Sequence, residues 1–191
     1  YCVQHFSEQQ DRGVGSSDLI ISVGGDGTFL EVSHYILSPE VPILGVNSDT
    51  NASTGFFTYV AANDFARALE EIEAGKAPLT RLNRLEIILN GKKVPEPVLN
   101  DVLVAHTNPA AMTRYTLVAN GVPTEVRSSG LLVCTAAGST GWTYQENGTV
   151  MPLGSTEMQY FSRGIRGEKP VLAKELEVHS HSRQGRIYVD G

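Results

Sequence analysis

The chain of 191 residues has few cysteines, an excess of acidic over basic residues, no long apolar run and no P-loop, and each of these shortages excludes a class of protein. Its two cysteines are too few for a disulfide framework or a zinc site, so a reducing compartment is expected, the cytoplasm or an organelle interior. The 15 basic residues are outnumbered by 21 acidic ones, which argues against a nucleic-acid partner or an anionic membrane surface. No apolar run is long enough to cross a bilayer. The chain also lacks the Gly-Lys-Ser/Thr P-loop that holds phosphate in many nucleotide-binding proteins.

What is present is an ordinary globular composition. Hydrophobic residues make up 41% and charged residues 19%, which excludes a disordered chain, and the length allows one large or two small domains. The sequence begins with Tyr1 rather than methionine and stops at Gly191, directly after a strand-like run. We therefore expect the protein to be truncated at both ends.

The first third of the sequence alternates strand and helix signals. An apolar run over 19–23 predicts a buried strand, 28–37 predicts a helix, and 43–46 predicts a second strand. This is a βαβ unit, so we expect parallel strands and a right-handed crossover. A polar loop follows over 47–55, at a strand end where ligands gather in open α/β sheets. A second helix is expected to be capped by Asn63 and ended by Gly75.

After Pro78 the pattern changes to period two with short turns. Hairpin turns are predicted at Asn90-Gly91 and Asn120-Gly121. The predicted strands cover 82–89, 99–106, 115–119, 130–135, 157–162, 175–181 and 186–189. The expected fold is an α/β Rossmann-like domain over 1–78, followed by a β-rich, β-sandwich-like domain over 79–191, with a ligand cleft between them. In the second domain, Cys134 is expected to be buried, and His179 and His181 to lie on a surface strand face rather than at a metal site.

The most informative motif is the turn Gly24-Gly25-Asp26-Gly27-Thr28. A glycine turn between a strand and a helix offers backbone N–H groups to a phosphate. Asp26 is unexpected there, because a carboxylate repels phosphate. It therefore indicates a task of its own, either taking a proton from a hydroxyl or holding a metal ion. The alternative is a loop acid that makes an Asx-turn.

Two further segments add polar groups at strand ends. Asn100-Asp101 stands at the head of a predicted strand, and an amide beside an acid can bind sugar hydroxyls or an adenine edge. The alternative is a common turn pair. The segment 128–142 reads as a strand followed by a loop of small and hydroxyl residues that Trp142 closes. Small residues let a flat base approach the backbone, although such a loop could also be a turn beside a core tryptophan.

Taken together, in this order and spacing, the three segments resemble the NAD kinase family. That family carries a Gly-Gly-Asp-Gly-Thr turn, an Asn-Glu pair and a Gly-Ser-Thr loop, and the resemblance extends from about Asp18 to Gly191. It implies the NAD kinase/diacylglycerol kinase-like fold and transfer of the γ-phosphoryl group of ATP, with Mg²⁺, to the 2′-hydroxyl of the adenosine ribose of NAD. The product would be NADP. The resemblance also favours a homodimer or homotetramer, with small-molecule substrates as the other partners.

The resemblance implies roles for individual residues as well. Asp26 is expected to be the general base that receives the 2′-hydroxyl proton, and no residue is assigned as a metal ligand. The glycine turn is expected to face phosphates, the Asn-Asp pair to hold adenosine, the loop 137–141 to line the adenine pocket, and an aromatic to wall the site. The expected binding residues are Gly25, Gly27, Thr28, Asn47, Phe56, Asn100, Asp101, Ser129, Ala137, Ser139, Thr140, Gly141 and Trp142.

Some positions depart from the common family pattern. Asp101 replaces the usual Glu, Trp142 replaces a Tyr, and Ser129 stands where an Asp is usual. The segment 128–131, the Cys134-Thr135 pair and Trp142 resemble mitochondrial-type NAD kinases most closely, and in a eukaryote the mitochondrial matrix is the alternative location. The choice between NAD and NADH therefore stays open. Two alternatives also stay open: a lipid kinase of the diacylglycerol or sphingosine type, which shares the glycine turn, and a non-catalytic NAD-binding protein.

Overall fold

The computed structural model describes residues 17–51 and 54–191. The chain divides between Pro78 and Leu79 into two compact units, each with its own helices and strands. Cys2, the other of the two cysteines, and residues 52 and 53 of the predicted 47–55 loop lie outside the described residues. In the described parts of the chain, no helix is both long and apolar enough to span a bilayer.

The first unit contains a three-stranded parallel sheet and two helices. The strands are β1 (Ile20–Gly24), β2 (Ile43–Asn47) and β3 (Val60–Ala61), and the helices are α1 (Asp26–His34) and α2 (Phe65–Glu73). The strand order is β1-β2-β3, and β1 pairs with β2 so that Gly24 lies opposite Asn47. The predicted parallel βαβ unit is confirmed, and it brings the glycine turn next to Asn47.

Helix α1 begins and ends earlier than the sequence pattern predicted. It begins at Asp26, because an acidic side chain in the first turn is favoured by the partial positive charge of a helix N-terminus. It ends at His34, where the next turn tightens and the Ile36 N–H donates to Ser33 O at 3.1 Å. The catalytic candidate thus belongs to the helix rather than to the loop before it.

Helix α2 differs at its start. The prediction that Asn63 caps it is wrong, because Asn63 lies in a 3₁₀ turn and Asp64 occupies the cap position. The Asp64 carboxylate makes no capping bond and pairs with Arg67 at 3.2 Å instead. Gly75 ends the helix as predicted, with a φ of +65° that glycine tolerates.

The second unit consists of two antiparallel sheets and a small hairpin. A five-stranded sheet has the order β11-β10-β9-β6-β13, a three-stranded sheet has the order β12-β7-β8, and β4 pairs with β5. The strands are β4 (Ile88–Leu89), β5 (Lys92–Lys93), β6 (Asp101–His106), β7 (Thr113–Ala119), β8 (Val122–Ser128), β9 (Leu131–Cys134), β10 (Met158–Ser162), β11 (Val171–Ala173), β12 (Leu176–Ser180) and β13 (Gly185–Val189). The expected all-β composition has two exceptions, a 3₁₀ turn Ala137–Thr140 and a single helical turn α3 (Trp142–Gln145).

Turn chemistry explains where these strands begin and end. Asn90-Gly91 and Asn120-Gly121 form the predicted hairpin turns, and all four residues have φ between 51° and 77°. The strand predicted over 82–89 is wrong for most of its length, since only β4 and an isolated bridge between Leu85 and Val98 form. The opposing segment contains Pro95 and Pro97, which have no N–H group to donate to a ladder.

Both sheets of the second unit contribute side chains to one core. Val102, Leu131 and Tyr160 come from the five-stranded sheet, and Tyr115 and Leu117 come from the three-stranded sheet. This arrangement is that of a β-sandwich. Cys134 is fully buried as predicted, whereas His179 and His181 are exposed on β12 or just after it and lie near Glu177 and Thr116.

Candidate active site

The glycine turn joins the end of β1 to the start of α1. A Cβ on Gly24 would lie 2.5 Å from Thr28 Oγ1, so this glycine lets the first helical turn pack against the strand. Gly25 and Gly27 are different, because a Cβ on either would meet no atom within 4 Å and neither residue has a positive φ. Neither packing nor backbone conformation in the described chain requires glycine at these two positions. Glycine is nevertheless expected there if a ligand approaches the backbone closely.

Backbone N–H groups are what this turn offers to a ligand. The Phe29 N–H makes the first bond of the helical ladder, to Gly25 O at 3.1 Å. The N–H groups of Asp26, Gly27 and Thr28 therefore belong to the first turn, which has no acceptors within the helix. Such donors, together with the helix dipole, favour a phosphate group. The residues predicted to face phosphates thus share one helix N-terminus.

Four hydrogen bonds hold the carboxylate of Asp26. Its Oδ1 accepts from the Phe57 N–H at 2.9 Å and from the Thr58 N–H and hydroxyl, each at 3.1 Å, and its Oδ2 accepts from the Phe56 N–H at 2.7 Å. A carboxylate has about four acceptor positions, two on each oxygen. These contacts saturate Oδ1 and leave one position on Oδ2 for a further partner. The Asx-turn interpretation is wrong, since these bonds reach a distant loop.

These contacts also set the charge of Asp26. Burial acts to raise its pKa, but the hydrogen bonds from Phe56, Phe57 and Thr58 together outweigh burial, so the pKa of Asp26 lies below its usual 3.8. The side chain is therefore ionised throughout the neutral range, with its orientation fixed.

The loop that holds Asp26 is fixed by packing. Phe57 stacks on Phe29 of α1 with ring centroids 5.0 Å apart, and Phe56 meets Phe57 edge-on at 4.9 Å. A Cβ on Gly45 would lie 2.2 Å from Phe57 O, so the loop also packs closely on β2. Thr58 is fully buried, and Phe56 is 44% exposed. The predicted wall residue Phe56 thus faces solvent beside the Asp26 carboxylate.

Sequence reasoning selected Phe56 but missed Phe57 and Thr58. Their contribution comes mainly from backbone N–H groups, which every residue except proline carries, so the side chains gave little signal. The one available signal was Gly55, which precedes them and adopts a φ of +65°. A glycine with that conformation marks a tight loop whose following N–H groups can converge on an acceptor.

The second and third sequence motifs meet in the second unit. Asn100 and Asp101 lie where β6 begins, and Asn100 Nδ2 donates to Asp101 Oδ2 at 3.0 Å. A Cβ on Gly138 would lie 2.0 Å from Asn100 O, and one on Gly141 would lie 3.5 Å from Asn100 Nδ2. The 3₁₀ turn Ala137–Thr140 therefore packs directly on the Asn-Asp pair.

The two hydroxyl residues of this turn have different surroundings. Ser139 is fully buried, and its hydroxyl donates to Ala136 O at 2.7 Å and accepts from the Met151 N–H at 2.8 Å. Thr140 is exposed, and its hydroxyl makes a long bond of 3.3 Å to Ala137 O. The Ser139 side chain thus stabilises the loop, whereas Thr140 presents its hydroxyl to solvent.

Asp101 lies beside a second acid that sequence reasoning missed. Asp101 is 4% exposed, and burial together with the charge of Asp190 raises its pKa to about 6. The Asp190 carboxylate accepts from the N–H groups of Leu99 at 2.9 Å, Asn100 at 2.7 Å and Asp101 at 3.0 Å. In the sequence Asp190 is a lone acid after a strand-like run, 89 residues from Asp101, so nothing local indicates the contact.

The structure does not bring Ser129 to the Asn-Asp pair. Asp101 pairs with Cys134 at one end of β9. Leu131, at the other end, is about 10 Å away along the strand, and Ser129 lies two residues before it. The Ser129 N–H donates to Arg163 O at 2.8 Å, and the guanidinium of Arg163 lies 4.3 Å from the centroid of the Trp142 ring. Arg163, which sequence reasoning did not select, thus connects Ser129 to Trp142.

A cavity of about 300 Å³ opens elsewhere in the second unit. Its walls come from the β7–β8 hairpin and from β10 and β11, with Leu117, Val126 and Tyr160 among the lining residues. None of the sequence-predicted site residues lines it. The cavity therefore plays no part in the candidate site.

Comparison with known sequences links the chain to enzymes that phosphorylate nicotinamide nucleotides. Residues 3–77 match the family model described as the ATP-NAD kinase N-terminal domain. A protein of Oryza sativa subsp. japonica named "Probable NADH kinase" is 35% identical over 205 residues. That match covers 91% of this chain and 63% of the relative, so the chain spans less than two thirds of it.

Solved structures show the same fold. A yeast NADH kinase complexed with NADH gives a TM-score of 0.81 at 18% identity, over 93% of this chain and 55% of that one. An NAD kinase from Archaeoglobus fulgidus in complex with ATP gives a TM-score of 0.65 at 22% identity, and the match covers 90% of this chain and 77% of that one. The predicted fold class, an α/β domain followed by a β-rich domain, is thereby confirmed.

Proposed function

Because this chain belongs to the NAD kinase family, we propose that the protein carrying it transfers the γ-phosphoryl group of ATP to the 2′-hydroxyl of the adenosine ribose of NAD. The observation that carries the proposal is the Asp26 carboxylate, an ionised acceptor held at the helix N-terminus that offers N–H groups to phosphate. Together these supply an acceptor for the hydroxyl proton and donors for the phosphate. The reaction products are NADP and ADP.

Asp26 is proposed to receive the proton. The 2′-oxygen forms a bond to the γ-phosphorus while the bond to the bridging oxygen of ADP breaks, and the hydroxyl proton passes to Asp26 Oδ2. This oxygen is the suitable one, because Oδ1 already accepts three hydrogen bonds. Its lowered pKa makes Asp26 a weak base, but phosphoryl transfer depends more on orientation than on base strength.

The glycine turn is proposed to bind the phosphates. Gly25 and Gly27 leave open space at their Cα atoms, and the N–H groups of the first turn of α1 have no helical acceptors. Thr28 adds a hydroxyl. The chain has no P-loop lysine, so neutral hydrogen-bond donors and the helix dipole bind the phosphates instead.

Residues of the second unit are proposed to hold the adenosine part of NAD. Asn100 and Asp101 offer an amide and a carboxylate that are already oriented by their mutual hydrogen bond. Ala137, Thr140 and Gly141 offer backbone and hydroxyl groups next to them. Trp142 and, in the first unit, Phe56 offer partly exposed aromatic faces.

Mg²⁺ is proposed to enter with ATP. Magnesium in kinases is held mainly by phosphate oxygens and water, with only one or two carboxylates from the protein. The donor set of the glycine turn fits this mode, because it has a single carboxylate, that of Asp26, at a helix N-terminus. Asp26 is the carboxylate of the glycine turn that could contact such an ion, whose contribution is to neutralise phosphate charge.

NADH is a second candidate acceptor. The Oryza relative is named an NADH kinase, and the yeast structure contains NADH. The two acceptors differ only at the nicotinamide ring, and Ser129, which stands where the family usually has an acid, is the proposed contact at that end. Both nucleotides therefore belong in the assay.

The test is formation of NADP or NADPH from NAD or NADH, ATP and Mg²⁺ by the full-length protein, with the variant Asp26→Asn beside it. If Asp26 is the base, turnover falls by about 10²–10⁴-fold, whereas NAD affinity measured by calorimetry changes little. The matched control is Asp64→Asn, which removes an exposed carboxylate of the same unit and should leave turnover unchanged.

Three outcomes separate the possibilities. Product formation that survives Asp26→Asn would overturn the assignment of the base. NAD binding without any product in the wild type would favour the non-catalytic alternative. Absence of both would overturn the proposed function and make lipid acceptors the next to test.

A further inference from the structure

Asp190 makes a connection that the proposed reaction does not use. Its carboxylate accepts hydrogen bonds from three consecutive backbone N–H groups at 2.7 to 3.0 Å, those of Leu99, Asn100 and Asp101. Charge-assisted bonds of this kind are the strong ones. They fall on the segment that carries the proposed adenosine-binding pair, so Asp190 fixes the backbone from which both side chains project.

Strand β13 delivers Asp190 to this place. Val189 pairs with Val102 of β6, and the Asp190 N–H donates to Asp101 O at 2.9 Å. Asp190 has a φ of +53°, a left-handed conformation that costs free energy for a residue with a side chain and that aspartate tolerates better than most. The carboxylate is therefore held on the segment 99–101 at a conformational cost.

We propose that Asp190 is a positioning residue for the nucleotide site: by holding residues 99–101 it fixes the directions in which Asn100 and Asp101 present their side chains to the ribose and base. The inference rests on the proposed function for its ligand. Its structural part, the coupling of Asp190 to Asp101, can be measured without any ligand.

The charged and titratable groups around Asp101 are few. Asp190 faces it from the end of β13 and, after burial, is the second cause of its raised pKa. Cys134 lies opposite on β9, and burial, with a smaller contribution from the charge of Asp101, raises the pKa of its thiol. The guanidinium of Arg84 is close enough to Asp190 for their charges to interact. Removal of the Asp190 charge should therefore ease the ionisation of Asp101.

The experiment uses the full-length protein and the variant Asp190→Asn. Carboxyl ¹³C NMR follows the titration of Asp101, and calorimetry follows NAD binding from pH 5 to pH 8. In the wild type we expect Asp101 to titrate near pH 6 and NAD affinity to fall as Asp101 becomes protonated. In Asp190→Asn the midpoint should move to lower pH, and NAD affinity at pH 7.5 should fall by about tenfold or more, since three hydrogen bonds are lost or weakened. Because Asp190 does not touch the reacting atoms, KM should rise more than kcat falls.

Glu175→Gln is the matched control, because it removes an exposed acid of the same unit. It should change neither the midpoint nor the affinity. A folded Asp190→Asn variant with wild-type midpoint and wild-type NAD affinity would overturn the proposal. If Asp190→Asn does not fold, Asp101→Asn is the deciding variant. NAD affinity should no longer fall at low pH in Asp101→Asn. A fall that persists would show that Asp101 is not the group through which Asp190 acts.

Failure of the proposed function gives a different result. A wild-type protein that does not bind NAD would remove the ligand from the argument. The NMR midpoint of Asp101 would still respond to Asp190→Asn if the two carboxylates are coupled. In a protein without NAD affinity the midpoint is the remaining criterion, and its failure to respond would refute the positioning role.

Discussion

Two aspartates of the candidate site have environments that move their pKa values in opposite directions. Asp26 is surrounded by hydrogen-bond donors and stays ionised at neutral pH, whereas burial and the charge of Asp190 raise the pKa of Asp101 to about 6. Opposite environments for two carboxyl groups are a recurrent way to give them different tasks. In the proposed function, the oriented and ionised Asp26 accepts the hydroxyl proton, whereas Asp101 binds the substrate.

Thr58 tests how much the orientation of Asp26 depends on its donors. Thr58→Val removes one hydroxyl donor and keeps the side-chain shape, so the pKa of Asp26 should rise toward 3.8 and the free energy of unfolding at pH 7 should fall by about 1–2 kcal/mol. The folded-state pKa of Asp26 is depressed, so its stabilisation is present above pH 3.8 and is lost as pH falls through the folded value. Urea unfolding at pH 7 and pH 3 should therefore show a smaller difference in the variant.

Thr58→Ser is the control for that experiment. It keeps the hydroxyl and loses only a methyl group, so it should retain the wild-type difference between pH 7 and pH 3. Equal behaviour of the Val and Ser variants would show that packing of Thr58, rather than its bond to Asp26, matters for stability.

At the scale of elements, sequence patterns were reliable where the cause is local. The turn at Asn120-Gly121 follows from the backbone conformations that asparagine and glycine tolerate, and it formed as predicted. The strand over 82–89 failed because Pro95 and Pro97 lie in its partner, and pairing is a property of two segments. The contacts of Thr58 with Asp26 and of Asp190 with Asn100 join residues 32 and 90 positions apart, which no local pattern encodes.

The start of α1 allows stability and activity to be separated. Gly27 lies inside the helix with a conformation open to any residue and with open space at its Cα. Gly27→Ala should therefore leave the protein unchanged or stabilise it by up to about 1 kcal/mol, since alanine is the better helix former. If a phosphate occupies the open space at Gly27, the methyl group of alanine should obstruct it and lower kcat/KM for ATP by about tenfold or more. A tenfold loss corresponds to about 1.4 kcal/mol of transition-state stabilisation.

Thermal unfolding and steady-state kinetics measure the two effects on the same sample. Gly154→Ala is the control, since Gly154 also has open space at its Cα and lies in a turn of the second unit. Wild-type kinetics for Gly27→Ala would mean that no substrate group approaches this part of the backbone.

At the scale of the whole molecule, the two units hold the carboxylates of the candidate site by different means. In the first unit a loop converges on Asp26, so the contacts that orient the acid also stabilise the fold. In the second unit the core of the sandwich is apolar, and Asp101 is placed at its edge with a charge that burial disfavours. Function and stability should therefore conflict at Asp101 but not at Asp26.

This conflict predicts that ionised Asp101 lowers the free energy of unfolding and that Asp101→Asn removes this pH-dependent loss. The folded-state pKa of Asp101, about 6, is above its unfolded value of 3.8, so the folded state binds the proton more tightly and stability falls as pH rises from about 4 through about 6. A shift of about two pKa units corresponds to about 3 kcal/mol.

Asp101→Asn should thus raise the free energy of unfolding of the second unit by up to that amount at pH 7.5 and change it little at pH 4. The same variant should weaken NAD binding. Urea unfolding followed by fluorescence of Trp142, the chain's one tryptophan, reports this unit. A variant no more stable than the wild type at pH 7.5 would show that Asp101 carries no buried charge there.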